Sequence, residues 1–352
     1  MSTLTQFDHY LKDSGPSAIV LREHLMPVEG IDGVVFPSTY TDIGYNIDKF
    51  DDGTNVCLVD SIGSQANRIE PMFKGEPYRG LVPQVVIIAG EKDINLLDAG
   101  HRAGDAIVRC SELETLFNQA FKNVLKGDCE ALAKVSPTSL VFGVWDSRDT
   151  QAKIPRVIAS TIRAYNVRKL TRSAQYVPAT EYVANKLLDE PSEAQKKEYS
   201  ERGFIHVPSV GVAGGVLADG GIRRDAILAL AAVRLLTAGK DESRTLALRR
   251  YILGLALTAF THPSGGYLRQ GCLLVINPDK PVEFVEVLPT GIRTPCTITH
   301  EQATEYALAA AKAFGVGENR SVHFTTELAK KDMEKSKDAK KDKNKSKDAK
   351  KA

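Results

Sequence analysis

Residues 60 to 70 read DSIGSQANRIE, in which Ser64, Gln65, Asn67 and Arg68 could contact a phosphate–sugar backbone. Hydroxyl and amide groups bond phosphate and sugar oxygens, and a guanidinium can meet a phosphate through two parallel bonds. The run follows Val56-Cys57-Leu58-Val59, so the pattern predicts a strand and then a helix start near Ser61. On that helix Ile62, Ala66, Ile69 and Phe73 form one apolar stripe, while Ser61, Gln65 and Arg68 share another face with Ser64 beside them. Asp60 or Ser61 can cap the first turn, which leaves positive helix-end N–H groups beside Arg68. Spacing alone is equally met by a solvated face with Arg68 paired to a nearby acid. Asn67 lies about 100° around the helix from Arg68, so both touch one backbone only where it wraps the helix start.

Three further clusters could hold an anion. From Arg148 to Arg172 the sequence carries seven Lys or Arg against one Asp. A helix over 154–167 would bury Ile154, Val157, Ile158, Ile162 and Tyr165 and gather Lys153, Arg156 and Arg163 opposite, with no interleaved acid. Tyr165 and Tyr176 could stack on bases, although a core role suits Tyr165 better. Gly211 to Leu236, GVAGGVLADGGIRRDAILALAAVRLL, places Gly220 and Gly221 before a predicted buried helix whose first turn holds Arg223 and Arg224. Basic residues there oppose the helix dipole, which makes sense if an external anion is bound. Pairing of Arg224 with Asp219 or Asp225 is the plainer reading. No G-K-[ST] follows, so it is not a phosphate-binding loop of the Walker type, and a dinucleotide fingerprint is unconvincing. Gly265, Gly266, Tyr267 and Arg269 precede a strand, where the glycines permit close backbone approach and Arg269 can pair. The seven histidines have no metal-ligand spacing, and no G-x-S-x-G occurs. No cofactor or metal is expected.

The elements that must position these residues read as α+β. Strands are predicted at Ala18–Leu21, Val56–Val59, Val85–Ala89, Ser139–Trp145, Phe204–Val207, Cys272–Ile276 and Val282–Leu288. Helices are predicted at Glu112–Leu125, Ile154–Val167, Ile222–Leu236, Thr245–Phe260 and Thr299–Phe314. Turn-rich residues 40–55 and charged residues 176–202 read as insertions on a single domain over 1–328. Residues 329–352 read as a disordered tail: KSKDAKK occurs twice, and from Lys330 onward eleven lysines face five acids. That tail carries +6 of a net +2, so the body is at −4 and is no generic nucleic-acid binder. Solubilisation explains the tail more simply than RNA tethering. Five scattered cysteines argue for reduced thiols, and neither a leader pattern nor a run near 20 apolar residues is seen. A soluble, cytoplasmic chain is expected, with no membrane contact.

As a set, DSIGSQANRIEP, TSLVFGVWDSRDT, GVLADGGIRRDAILALAAVRLL and LRQGCLLV resemble the signature blocks of the CRISPR-associated RAMP backbone subunit of type I-G (formerly I-U) Cascade. The resemblance spans roughly Ser17 to Val287. It implies a modified RRM (ferredoxin-like) palm with inserted finger and thumb segments. It also implies a non-catalytic protein that polymerises along the spacer of the CRISPR guide RNA, beside copies of itself and other Cascade subunits. The guide is then presented for pairing with target DNA, so sequence reading falls to base pairing. On this resemblance Ser64, Gln65, Asn67 and Arg68 lead the RNA contacts, then Arg148, then Gly220, Gly221, Arg223 and Arg224, with Trp145 in the core. The alternatives are a metal-independent RAMP endoribonuclease acting through His262, and a nucleotide-binding enzyme using the glycine loop.

Overall fold

The computed structural model describes residues 2–263 and 265–334. Six of the nine strands of the main sheet, rich in β-branched residues, form its body: β1 (Ala18–Pro27), β2 (Asn55–Asp60), β3 (Ile158–Tyr165), β4 (Ile222–Ala229), β5 (Cys272–Ile276) and β6 (Glu283–Val287). β1 pairs with β4, β4 with β3 and β3 with β2, all antiparallel. On its other edge β1 pairs with β5 near Pro27 and with β6 near Ala18, so those two act as one interrupted strand. Leaving aside the edge strand β2, the order is fourth, first, third, second. That is the antiparallel order of the expected RRM-like α+β palm. Ile47–Lys49, inside the stretch expected to be an insertion, extends the sheet by pairing with β2.

One face of the sheet is packed by helices. Alternation brings Ile19, Leu228 and Ile158 to that face, all buried. Helix α1 (Ile62–Ile69) lies against β3 at one end. The larger helices α2 (Glu242–Thr261) and α3 (His300–Phe314) close most of the rest. α2 is enclosed without a break from Tyr251 to Phe260, as its continuous apolar run requires. Gly254 lets α3 come close: a Cβ there would lie 2.8 Å from the Ala307 Cα. Tyr251 stacks on Phe314 with ring centroids 4.8 Å apart. A second, smaller core joins Val35, Cys57, Ile162, Ile222 and Leu274 toward the other end of the sheet.

Between β3 and β4 the chain leaves as a long two-stranded ribbon, Val167–Tyr176 against Val207–Ala218. Its far end carries most of the charged segment 176–202, including a helix at Glu193–Arg202 started by a Ser192/Gln195 capping box.

Three expectations are corrected. Residues 154–167 form a two-residue strand and then β3, because Val157, Ile158, Thr161 and Ile162 favour extended backbone. Residues 222–229 are a strand and only Leu230–Arg234 is helical. The predicted strand at Ser139–Trp145 is mostly the buried helix Thr138–Phe142, followed by the short strand Val144–Trp145. Residues 326–334 are helical, and the rest of the tail lies outside the described residues. No described helix is long and apolar enough to cross a membrane.

Candidate nucleic-acid interface

The strand β2 ends on Asp60, which is fully buried, and α1 begins immediately after. Ser61 is the N-cap: its hydroxyl accepts from the Ser64 amide at 3.2 Å and lies 3.1 Å from the Ser64 hydroxyl. Ala66 anchors the helix in the core as expected, and Phe73, expected on the same stripe, is buried in the 3-10 segment Glu70–Lys74 that follows it. Gln65, expected on the exposed face, is buried, because its amide bridges two other polar groups. Its Nε2 donates to Asp60 Oδ2 at 2.6 Å and its Oε1 accepts from the Ser160 hydroxyl at 2.9 Å.

Asp60 is the hub of this side. Arg68 Nε donates to it at 3.2 Å and Arg269 Nη2 at 2.7 Å. A buried carboxylate needs such compensation, since desolvating one alone costs several kcal/mol. The chain of bonds continues inward: Arg224 Nε donates to the Ser160 hydroxyl at 3.1 Å, and Arg224 Nη1 pairs with Glu23 at 2.9 Å. Gln65, Arg68, Arg224 and Arg269 thus meet in one polar seam on the helix-covered face of the sheet, while Ser64 bonds Ser61 at the helix start. Only Arg68 and Arg269 open substantially to solvent.

On the other flank of α1, Asn67 Oδ1 accepts from Arg102 Nη2 at 3.2 Å. Arg102 is itself buried and lies 2.6 Å from the buried Glu70 carboxylate. Burial pushes the Glu70 carboxyl up to about 7, against the pull of Arg102, and the same burial lowers the Arg102 pKa. Beyond Arg102 opens a cleft of about 510 Å³ lined by His101, Arg102, Trp145, Lys153 and Arg156. Trp145, expected in the core, is 57% exposed. Val144 before it and Asp146 after it both point inward, so strand alternation turns the indole outward. Asp146 is held below the usual carboxylate range. Burial works against this, but the Thr150 hydroxyl and the amides of Thr150, Asp149 and Arg148 outweigh it. Arg148 lies just outside this cleft, exposed on the same hairpin.

The remaining predicted residues sit on the opposite face of the sheet. Arg163 of β3 pairs in register with Arg223 of β4, so two like charges stand side by side. Arg223 donates to Asp225 at 2.8 Å and its guanidinium lies 4.8 Å from the centre of the Tyr165 ring. Arg223 and Arg224, expected to share a helical turn, therefore face opposite ways. Gly220 and Gly221 form the turn into β4. A Cβ on Gly220 would lie 2.8 Å from the Tyr165 carbonyl oxygen, so glycine there serves backbone contact within the chain.

Sequence reasoning gave Asp60 only a possible capping role and Trp145 a place in the core, and it missed Arg102. No alternation pattern marked Trp145, because the polar Asp146 beside it is buried where a period-2 reading would turn it outward. The histidines are also not all separate: His262 and His300 have ring centroids 5.5 Å apart, and both border a cavity of about 220 Å³ with Glu23 and Arg224. Burial lowers both of their pKa values.

Residues 19–169 match a family model described as CRISPR-associated protein GSU0053. The matched stretch runs from β1 through β3 and contains α1, Trp145 and its hairpin, and Arg163. The match supports a CRISPR-associated protein. No curated protein matches the chain.

Proposed function

We propose that this chain is a CRISPR-associated, non-catalytic guide-RNA-binding subunit. It lines up with copies of itself along the spacer of a CRISPR RNA and presents the bases for pairing with target DNA. Its assignment to the backbone of a type I-G Cascade rests on the resemblance of the four sequence blocks. The observation that carries the reading is the setting of α1. Asn67 and Arg68 are exposed on its two flanks, and each is held from beneath, Asn67 by Arg102 and Arg68 by Asp60. Polar groups fixed in this way suit a backbone that wraps the helix start, and such contacts position a strand without reading its sequence. The exposed Lys169 and Arg172 at the root of the ribbon add positive charge on a projecting element, while Arg168 beside them is paired with Asp219 at 2.7 Å.

The test is RNA binding by the full chain over a range of salt concentrations. Arg68→Ala should weaken binding to unrelated single-stranded sequences by similar factors. It should also make the dependence of log K on log salt shallower by about 0.7, the share of one phosphate contact. An unchanged affinity and slope would reject Arg68 as a contact. Cleavage of repeat-containing RNA that is lost in His262→Ala would replace this reading with a nuclease.

A further inference from the structure

We infer that Trp145 is a stacking platform for one unpaired nucleobase, with Lys153 and Arg156 placed for the phosphate attached to it. The inference rests on the RNA-binding reading and assigns to that RNA a second point of contact, beside α1. The indole is presented on a stiff support. Val144 pairs with Ile154 and Trp145 with Lys153, the Asp146 amide donates to the Ala152 carbonyl at 2.9 Å, and the Asp146 carboxylate locks the turn that follows. An indole that is more than half exposed forgoes the burial that usually stabilises it, so its place at a cleft mouth points to a partner. The Lys153 ammonium lies 5.6 Å from the centre of its ring. Arg156 donates through Nε to the Phe142 carbonyl at 3.0 Å, which fixes the guanidinium at the cleft wall.

The lining decides the class of ligand. Lys153, Arg156, His101 and Arg102, the last paired with Glu70 behind it, border the cleft, and among the described residues no carboxylate does. Among the described residues neither Lys153 nor Arg156 has an acidic partner. A cation-lined cleft with one exposed aromatic face is the composition of single-strand binding sites, where bases stack and the backbone follows the charge. At about 510 Å³ the space holds one nucleotide with water. The Asn67–Arg102 bond joins this cleft to α1, so a strand that wraps the helix start is led toward Trp145.

The chain has a single tryptophan, so its emission reports on this cleft alone. The full chain is titrated with a ten-nucleotide oligoadenylate and with an abasic ribose-phosphate oligomer of equal length, while anisotropy of a terminal dye follows binding separately. Oligoadenylate should quench the tryptophan in step with the anisotropy, and the abasic oligomer should bind without quenching. Trp145→Ala should weaken oligoadenylate binding roughly ten-fold and leave the abasic oligomer unchanged, with Trp145→Phe in between. Emission that stays constant while anisotropy reports binding overturns the stacking site and leaves the RNA-binding reading intact. Equal weakening of both oligomers by Trp145→Ala overturns it too, and marks the indole as a structural or protein-contact residue. Failure of both oligomers to bind overturns the broader reading and this one with it.

Discussion

Replacing Asp60 with Asn tests whether the seam beneath α1 is a structural hub. The change keeps the size of the side chain and removes its charge and one acceptor oxygen. Three donors converge on Asp60: Gln65 Nε2 at 2.6 Å, Arg68 Nε at 3.2 Å and Arg269 Nη2 at 2.7 Å. An asparagine can satisfy the donors on one oxygen, but its own NH2 group must then face a donor on the other. Bonds to a charged group each contribute about 1.5–3 kcal/mol, and a donor left buried without a partner costs about 1–3 kcal/mol. The side chains of Arg68 and Arg269 are 39% and 24% exposed, so water recovers part of the loss on their side. The net expectation is a loss of about 2–4 kcal/mol. Equilibrium urea unfolding of the full chain, with a slope unchanged from the parent, measures it. Arg68→Ala, which leaves Gln65 and Arg269 on the carboxylate, should cost no more than about 1 kcal/mol in the same assay, because its partner keeps two bonds. An Asp60→Asn loss below about 1 kcal/mol, or one no larger than that of Arg68→Ala, would refute the hub.

Two further outcomes follow from burial. The native Glu70 carboxyl keeps its proton to about pH 7, whereas an unfolded glutamate releases it near 4.5. The native state therefore binds more protons in between, and stability falls as pH rises through that window, by up to about 3 kcal/mol. Glu70→Gln should remove this component, so denaturation midpoints at pH 5 and pH 8 should lie closer together in the variant than in the parent. Gly254→Ala should cost about 1–3 kcal/mol by thermal or urea unfolding, since the added methyl meets the α3 backbone 2.8 Å away and neither helix can withdraw without opening the core.

The fold was legible where a segment obeys one period throughout. Val85–Ala89 and Cys272–Ile276 are strands to the residue, and α2 and α3 begin within a few residues of their predicted starts. Reading failed where a tertiary partner occupies a position that local pattern assigns to an apolar residue. In β4 the inward positions are Ile222, Arg224, Ala226 and Leu228, and Arg224 breaks the alternation because it is neutralised by Glu23, some 200 residues earlier. In β3 the polar inward residue is Ser160, which bonds Gln65 and Arg224. With that position read as polar, Ile154, Val157, Ile158 and Ile162 fall into helical spacing. The candidate site was half legible for the same reason. Ser61, Ser64 and Arg68 follow from the helix start itself. The burial of Gln65 depends on Ser160, 95 residues further along the chain, and the role of Asp60 on Arg269, 209 residues further. Trp145, expected in the core, is turned outward because its two neighbours take the inward positions.

The ribbon leaves the sheet and returns to it at a single point. Tyr165 donates its amide to the Gly221 carbonyl and accepts from the Gly220 amide, both at 2.9 Å, and Val167 pairs with Ala218 directly above. Because its ends are fastened to each other, the strain of a longer or shorter ribbon is not passed to β3 or β4. Doubling the length of an inserted loop adds only about 0.6 kcal/mol of closure entropy. The family match stops at residue 169, just inside the first ribbon strand. Residues 170–215 are thus a segment whose reach and surface charge can change through insertion and deletion while the sheet register stays fixed, and length differences among relatives should concentrate there.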